Sequence, residues 1–154
     1  MEIFRITLKK WAGVLKGSGY PARWNSMGIE VIYTAWTRSL ACLENIVHRN
    51  FIELTDNFMV IVVYFPDSIE IETISKSKLP PTWYYSDDSG YKICQIFGDN
   101  WIYENQTAIL KVPSSIIKNE YNFIINPNHP DFKSIKIIEE EPFFFDNRLI
   151  MRSK

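Results

Sequence analysis

The run Phe58-Met59-Val60-Ile61-Val62-Val63-Tyr64-Phe65 constrains the fold more than any other stretch of the chain. β-Branched and aromatic side chains suit a pleated surface. A run that is apolar at both parities leaves no face for water, so it predicts a central strand covered on both sides. It is too short to cross a bilayer, which takes about 20 residues of helix.

The rest of the chain reads around that strand. Glu2–Thr7 is expected as an edge strand and Val31–Thr34 as a short one. Thr37 is placed to cap a helix running through Ala41 to about His48. Ser68–Ile74 alternates isoleucine with glutamate, the pattern of a half-exposed strand. Ser89–Phe97 reads as a short helix closed by Gly98. Ala108–Val112, Asn122–Asn126 and Ile135–Ile138 read as three strands punctuated by Pro113, Pro127 and Pro130, with Phe143–Phe145 as a last one. Lys16–Met27, rich in Gly, Ser, Pro and Asn, is loop, and Leu79–Trp83 is a break. Many strands and few helices, out of strict alternation, predict an α+β fold: a single compact domain, residues 1–154, around a mixed or antiparallel sheet. A chain of 154 residues can bury such a core without disulfides or metals.

Charge narrows the function. A formal net charge of −1 argues against direct nucleic-acid binding, which calls for a basic excess. The run Glu139-Glu140-Glu141 is too short for an acidic tail. Cys42 and Cys94 show no zinc spacing, and no metal is expected. With no secretory signal, two thiols in a cytoplasmic chain are expected, while a disulfide between them stays open. No stretch predicts a membrane anchor, and no Gly-rich phosphate loop or dinucleotide fingerprint is present.

Glu44 is the residue hardest to read as packing. Leu40, Leu43 and Val47 recur at helical spacing, and Glu44 falls on their stripe. A carboxylate on a buried face needs a partner or a job. Arg23 offers a partner and Tyr33 an aromatic face. Read alone, Arg23 is equally a loop arginine in water, Tyr33 a strand tyrosine, Ser114 a turn serine after Pro113, and Arg5 a surface charge. Ser114 has no histidine placed as its base, so it is not read as a nucleophile. His48 is expected to cap its helix against the dipole.

Three ordered blocks carry a resemblance. The first is Gly17-Ser18-Gly19, Arg23-Trp24-Asn25, Gly28, Tyr33, Leu40-Ala41 and Glu44. The second is Leu79-Pro80, Trp83, Gly98-Asp99 and Trp101. The third is Val112-Pro113-Ser114, Asn122, Asn126-Pro127, His129-Pro130, Phe145-Asp146 and Arg148-Leu149. Together they resemble the RES domain, the toxin half of bacterial RES–Xre toxin–antitoxin systems. One departure is Pro21-Ala22, which stands where the family usually has a glycine pair. Neither residue has the backbone freedom of glycine.

The resemblance implies an ADP-ribosyltransferase-like fold and cleavage of the nicotinamide–ribose bond of NAD+, as a glycohydrolase or phosphorylase that depletes NAD+ and arrests growth. ADP-ribosylation of a specific protein, and a RES-like binding protein without catalysis, are the alternatives. It implies Arg23, Tyr33, Glu44 and Ser114 as catalytic residues, with Arg5, Trp24 and Asn122 contacting substrate. NAD+ is then a substrate and not a cofactor. The implied partners are a cognate Xre-type antitoxin over the active site and a second copy in a homodimer, though the sequence marks no interface.

Overall fold

The structure is a computed structural model that describes residues 1–48 and 57–150. Its elements run β1 (Glu2–Leu8), β2 (Ile32–Ala35), α1 (Arg38–His48), β3 (Phe58–Tyr64), β4 (Ile71–Thr73), α2 (Asp88–Glu104), β5 (Ile109–Pro113), β6 (Tyr121–Ile125), β7 (Lys136–Phe143) and the single turn α3 (Asn147–Ile150). The strands form one seven-stranded sheet in the order β4-β5-β6-β2-β1-β3-β7. Among the described residues only β4 and β5 pair in parallel; every other neighbour is antiparallel. The α+β class with a mixed sheet is as the sequence predicts.

β3 is buried along most of its length, as its composition requires, with Val60, Ile61, Val62 and Val63 all at 3% exposure or less. β1 is not an edge strand. It lies between β2 and β3, in register from Glu2↔Tyr64 to Leu8↔Phe58. Its charges misled: Glu2 is exposed and Arg5 half-buried, while Ile3 and Ile6 are buried on opposite faces. The true edges are β4, only three residues long, and β7, which carries Glu139–Glu141. A short strand and a charged strand both discourage further pairing.

α2 runs 17 residues, well past Gly98, and ends on Asn105, whose φ of 49° closes the helix left-handed. Gly98 serves packing instead: a Cβ there would stand 1.8 Å from the Trp24 carbonyl oxygen. Phe143 ends β7 instead of starting a strand. Phe145, beyond it, packs edge-on against Phe58 with ring centroids 5.1 Å apart. Thr37 does cap α1, its Oγ1 accepting from the Leu40 amide at 3.0 Å.

Both long helices cover one face of the sheet. α1 brings Leu40 and Ala41 onto Ile6, Ala35, Phe58 and Val60. α2 brings Cys94 and Trp101 onto Trp24, Leu110, Val112 and Ile124. Strand alternation and register put Tyr33, Ala35, Asn122 and Ile124 on that same face. The other face holds Ile3, Ile32, Ile61, Ile109, Phe123 and Ile125 under the loops. Cys42 and Cys94 are free thiols. Among the described residues no helix is long and apolar enough to cross a membrane.

Candidate active site

β1 and β2 share a single register pair, Phe4↔Ala35, whereas β1 and β3 pair along the whole strand. Where the seam is weakest a cleft of about 550 Å³ opens, lined by Phe4–Ile6 of β1, Tyr33–Ala35 of β2, one face of α1 and the loop 18–24.

α1 turns Ala41, Glu44, Asn45 and His48 to the cleft, positions spaced as one helical face. Val47 is 59% exposed, so the stripe Leu40-Leu43-Val47 is not the buried one. Glu44 belongs to a polar, cleft-facing stripe beside the core instead. Its Oε1 accepts from Asn122 Nδ2 at 2.6 Å, and His48 Nε2 lies 3.2 Å from its Oε2. The carboxylate is therefore anchored from β6 and from its own helix, with 21% of its side chain still open. Asn122 sits opposite Ala35 in the sheet, which aims it at α1. Its Oδ1 is buried without a hydrogen-bond partner among the described residues.

Arg23 does not pair with Glu44. It is 8% exposed, and its Nη1 donates to the carbonyls of Trp83 at 2.7 Å and Tyr85 at 3.2 Å. Its guanidinium carbon lies 4.4 Å from the Tyr91 ring centroid. These partners are neutral, and among the described residues no carboxylate forms an ion pair with the guanidinium. Such a cation, fixed at a cleft wall, suits an anionic ligand. Cys94 donates to the same Trp83 carbonyl, and burial raises its thiol pKa.

Tyr33 offers the cleft its ring and not its hydroxyl. The hydroxyl accepts from the Trp24 amide at 3.0 Å and donates to Asn25 Oδ1 at 2.8 Å. Burial, only partly offset by the Trp24 hydrogen bond, raises its pKa far above the ordinary tyrosine value. It is no acid or base near neutrality. Asn25 in turn ties the loop together, its Nδ2 donating to the carbonyls of Tyr20, Ser26 and Ile29. α2 fastens the same loop: Gln95 donates to Ala22 and Asn25, and Asp99 accepts from the Ser26 amide. The loop's left-handed residues are Gly19 and Gly28, at φ 68° and 86°. Pro21 and Ala22 need no such freedom, which is how they stand in place of a glycine pair.

Of the other predicted residues, Trp24 and Arg5 also line the cleft and Ser114 does not. Trp24 is 3% exposed and packs on Trp83 at 6.3 Å; it forms the cleft's floor from the core. Arg5 lines the cleft and donates from Nη1 to the Lys16 carbonyl at 3.0 Å. Ser114 is buried, its Oγ accepting from the amides of Ile116 and Ile117 at 3.1 and 3.0 Å. That is a turn role, and Ser115 lines the cleft in its stead. Tyr91, His48 and Tyr20 were not selected from sequence as site residues. Of these only His48 left a usable signal, its i,i+4 spacing from Glu44. Among the described residues no cluster of three or more His, Cys, Asp or Glu is placed to hold a metal.

The same architecture recurs in a solved structure. The chain superimposes on one chain of the M. tuberculosis MbcT–MbcA toxin–antitoxin complex with a TM-score of 0.72, over 93% of this chain and 84% of that one, at 15% identity. The RES domain family model matches residues 2–146, and the chain belongs to that family. It is similar to the Prs ADP-ribosylating toxin of Sphingobium sp. (strain YBL2), 35% identical over 85% of this chain and 81% of the relative. It is also similar to Toxin Res of Photorhabdus laumondii, 31% identical over 100% of both chains.

Proposed function

We propose that this chain is the toxin of a toxin–antitoxin pair and breaks the bond between nicotinamide and ribose in NAD+. The carrying observation is the Glu44 carboxylate, anchored by Asn122 and His48 inside a cleft that also holds the buried Arg23 charge. Nicotinamide leaves as a neutral base with the bonding electron pair, so no strong acid is required. Positive charge grows on the ribose, as in glycoside cleavage. A carboxylate fixed beforehand stabilises that charge without reorganising. Tyr33 presents a ring face for the nicotinamide. Arg23 holds phosphate or ribose oxygens. Water or phosphate then bonds to the ribose carbon and gives up a proton.

A second reading keeps the same cleft and transfers ADP-ribose to a protein; the name of the Sphingobium relative favours it. In both readings NAD+ is the substrate, and the expected partner is an antitoxin that covers the cleft, as a toxin–antitoxin complex shares the fold.

The test is incubation of purified protein with NAD+, with and without phosphate, products followed by mass spectrometry beside Glu44→Gln. Nicotinamide with ADP-ribose marks hydrolysis, and a phosphorylated ADP-ribose marks phosphorolysis. Glu44→Gln should lower nicotinamide release by about 10²–10³-fold or more. Intact NAD+ with a labelled protein in lysate selects the second reading. Equal rates for Glu44→Gln and wild type would sink the role of the carboxylate.

A further inference from the structure

The cleft has a neighbour. A second hollow of about 520 Å³ opens beside it, and the two share Arg5, Ser18 and Tyr20 as a common wall. Trp11, Val14, Lys16 and Gly17 line the second hollow alone. Trp11, Val14 and Tyr20 are 50%, 49% and 72% exposed. Single exposed apolar groups are ordinary. Two aromatic rings and a valine converging on one hollow with cations at its edge are a patch of the kind that binds something.

We propose that this second hollow is a purine-nucleoside subsite. It takes the adenosine half of a dinucleotide whose nicotinamide ribose lies at Glu44, with the pyrophosphate crossing the shared wall at Arg5. The inference rests on the reading of the cleft given above. It follows from matching two sequences of groups. A dinucleotide has a base at each end and an anionic bridge between them. The paired hollows have the Tyr33 ring in one, Trp11 and Tyr20 in or beside the other, and the Arg5 guanidinium in the wall between. Aromatic faces stack on purines whatever their edge pattern, and a guanidinium fork fits phosphate oxygens.

The surroundings hold this arrangement in place. Arg5 Nη1 donates to the Lys16 carbonyl, which ties β1 to the start of the loop. The Gly17 amide donates to Glu30 Oε1 at 3.1 Å, and the Gly28 amide to the Gly19 carbonyl at 2.8 Å. The segment carrying Tyr20 is thus pinned on either side, and less freedom is lost when a ligand arrives.

Calorimetric titration with two probes tests the subsite: ADP-ribose, which carries the adenosine, and nicotinamide mononucleotide, which lacks it. The variants are Trp11→Ala and Val14→Glu, both outside the first cleft's lining and at exposed positions, each checked by its melting temperature. Each should raise the Kd for ADP-ribose about tenfold or more, with the Kd for nicotinamide mononucleotide held within about twofold. Unchanged ADP-ribose affinity in both variants, or equal weakening of both probes, overturns the subsite. If wild-type protein still releases nicotinamide from NAD+, such a result leaves the reading of the cleft standing. Wild-type protein that binds neither probe and leaves NAD+ intact overturns both.

Discussion

Asn122 commits its side-chain nitrogen to Glu44 at 2.6 Å and leaves a buried Oδ1 without a partner among the described residues. An unpaired buried acceptor costs about 1–3 kcal/mol. A position that carries such a cost is better explained by holding Glu44 than by packing. Asn122→Leu, close in volume, should therefore lower kcat for nicotinamide release by about ten- to a hundredfold, since small misplacements of a catalytic group are expensive. KM should change little, and the melting temperature should stay level or rise. A melting temperature lower by more than about 5 °C would instead make the amide a structural prop. At this scale chemistry alone singled out Glu44, and the family resemblance supplied the residues around it. Glu44, Arg23, Tyr33 and Asn122 meet in one cleft. Their hydrogen bonds were not legible, because the partners are backbone carbonyls 60 and 62 residues away for Arg23 and a residue 78 away for Glu44. Nothing local in sequence encodes such distances, whereas the turn role of Ser114, whose partners Ile116 and Ile117 follow it directly in the chain, was legible beside Pro113.

The element that organises the site is α2, which reaches the loop carrying Arg23 without contributing a carboxylate to the cleft. Gly98 lets it approach, and this makes the sign of one substitution diagnostic. Gly→Ala inside an exposed helix is worth about 1 kcal/mol of stability. Here the added Cβ would meet the Trp24 backbone at 1.8 Å, and backbone cannot move aside as a side-chain tip can. Gly98→Ala should destabilise by about 1–3 kcal/mol, the ordinary cost of overpacking. It should also lower nicotinamide release by displacing Arg23; a stabilised, fully active variant would refute the packing account. The start of α2 carries a pH effect. Asp87 accepts from the Ser89 hydroxyl at 2.7 Å and from the Gly90 and Ser89 amides, and these bonds hold its carboxyl below the usual range. A depressed folded value means the cap's contribution is complete above the unfolded value of about 3.9 and fades as pH falls through the folded one. The melting-temperature gap between wild type and Asp87→Ala should thus be constant from pH 5 to 8 and close below about pH 4; a gap that widens in acid contradicts it. Helix ends and strand order share one reason for being misread from sequence. A glycine signals both a cap and a close approach, and an alternating charged strand suits both an edge and the rim of a cleft.

Across the whole molecule the sheet is two antiparallel blocks joined by a weak seam. β7-β3-β1 lies on one side and β2-β6-β5, with β4 beyond, on the other; the blocks meet through Phe4↔Ala35. α1 packs across both, touching Ile6 of β1 and Ala35 of β2. A split of this kind is what opens a cleft without a second domain, and it puts substrate where both blocks are felt. A ligand in the cleft should therefore stabilise the chain as a unit. At ADP-ribose a hundredfold above its Kd, linkage adds about 2.7 kcal/mol. For a chain of this length that raises the melting temperature by roughly 5–10 °C. Scanning calorimetry should show one transition moving upward with ligand. Two transitions, of which only one moves, would mean that the seam divides the protein into separately unfolding halves. The cleft would then belong to one block, and the joint claim of β1 and β2 on the substrate would fail.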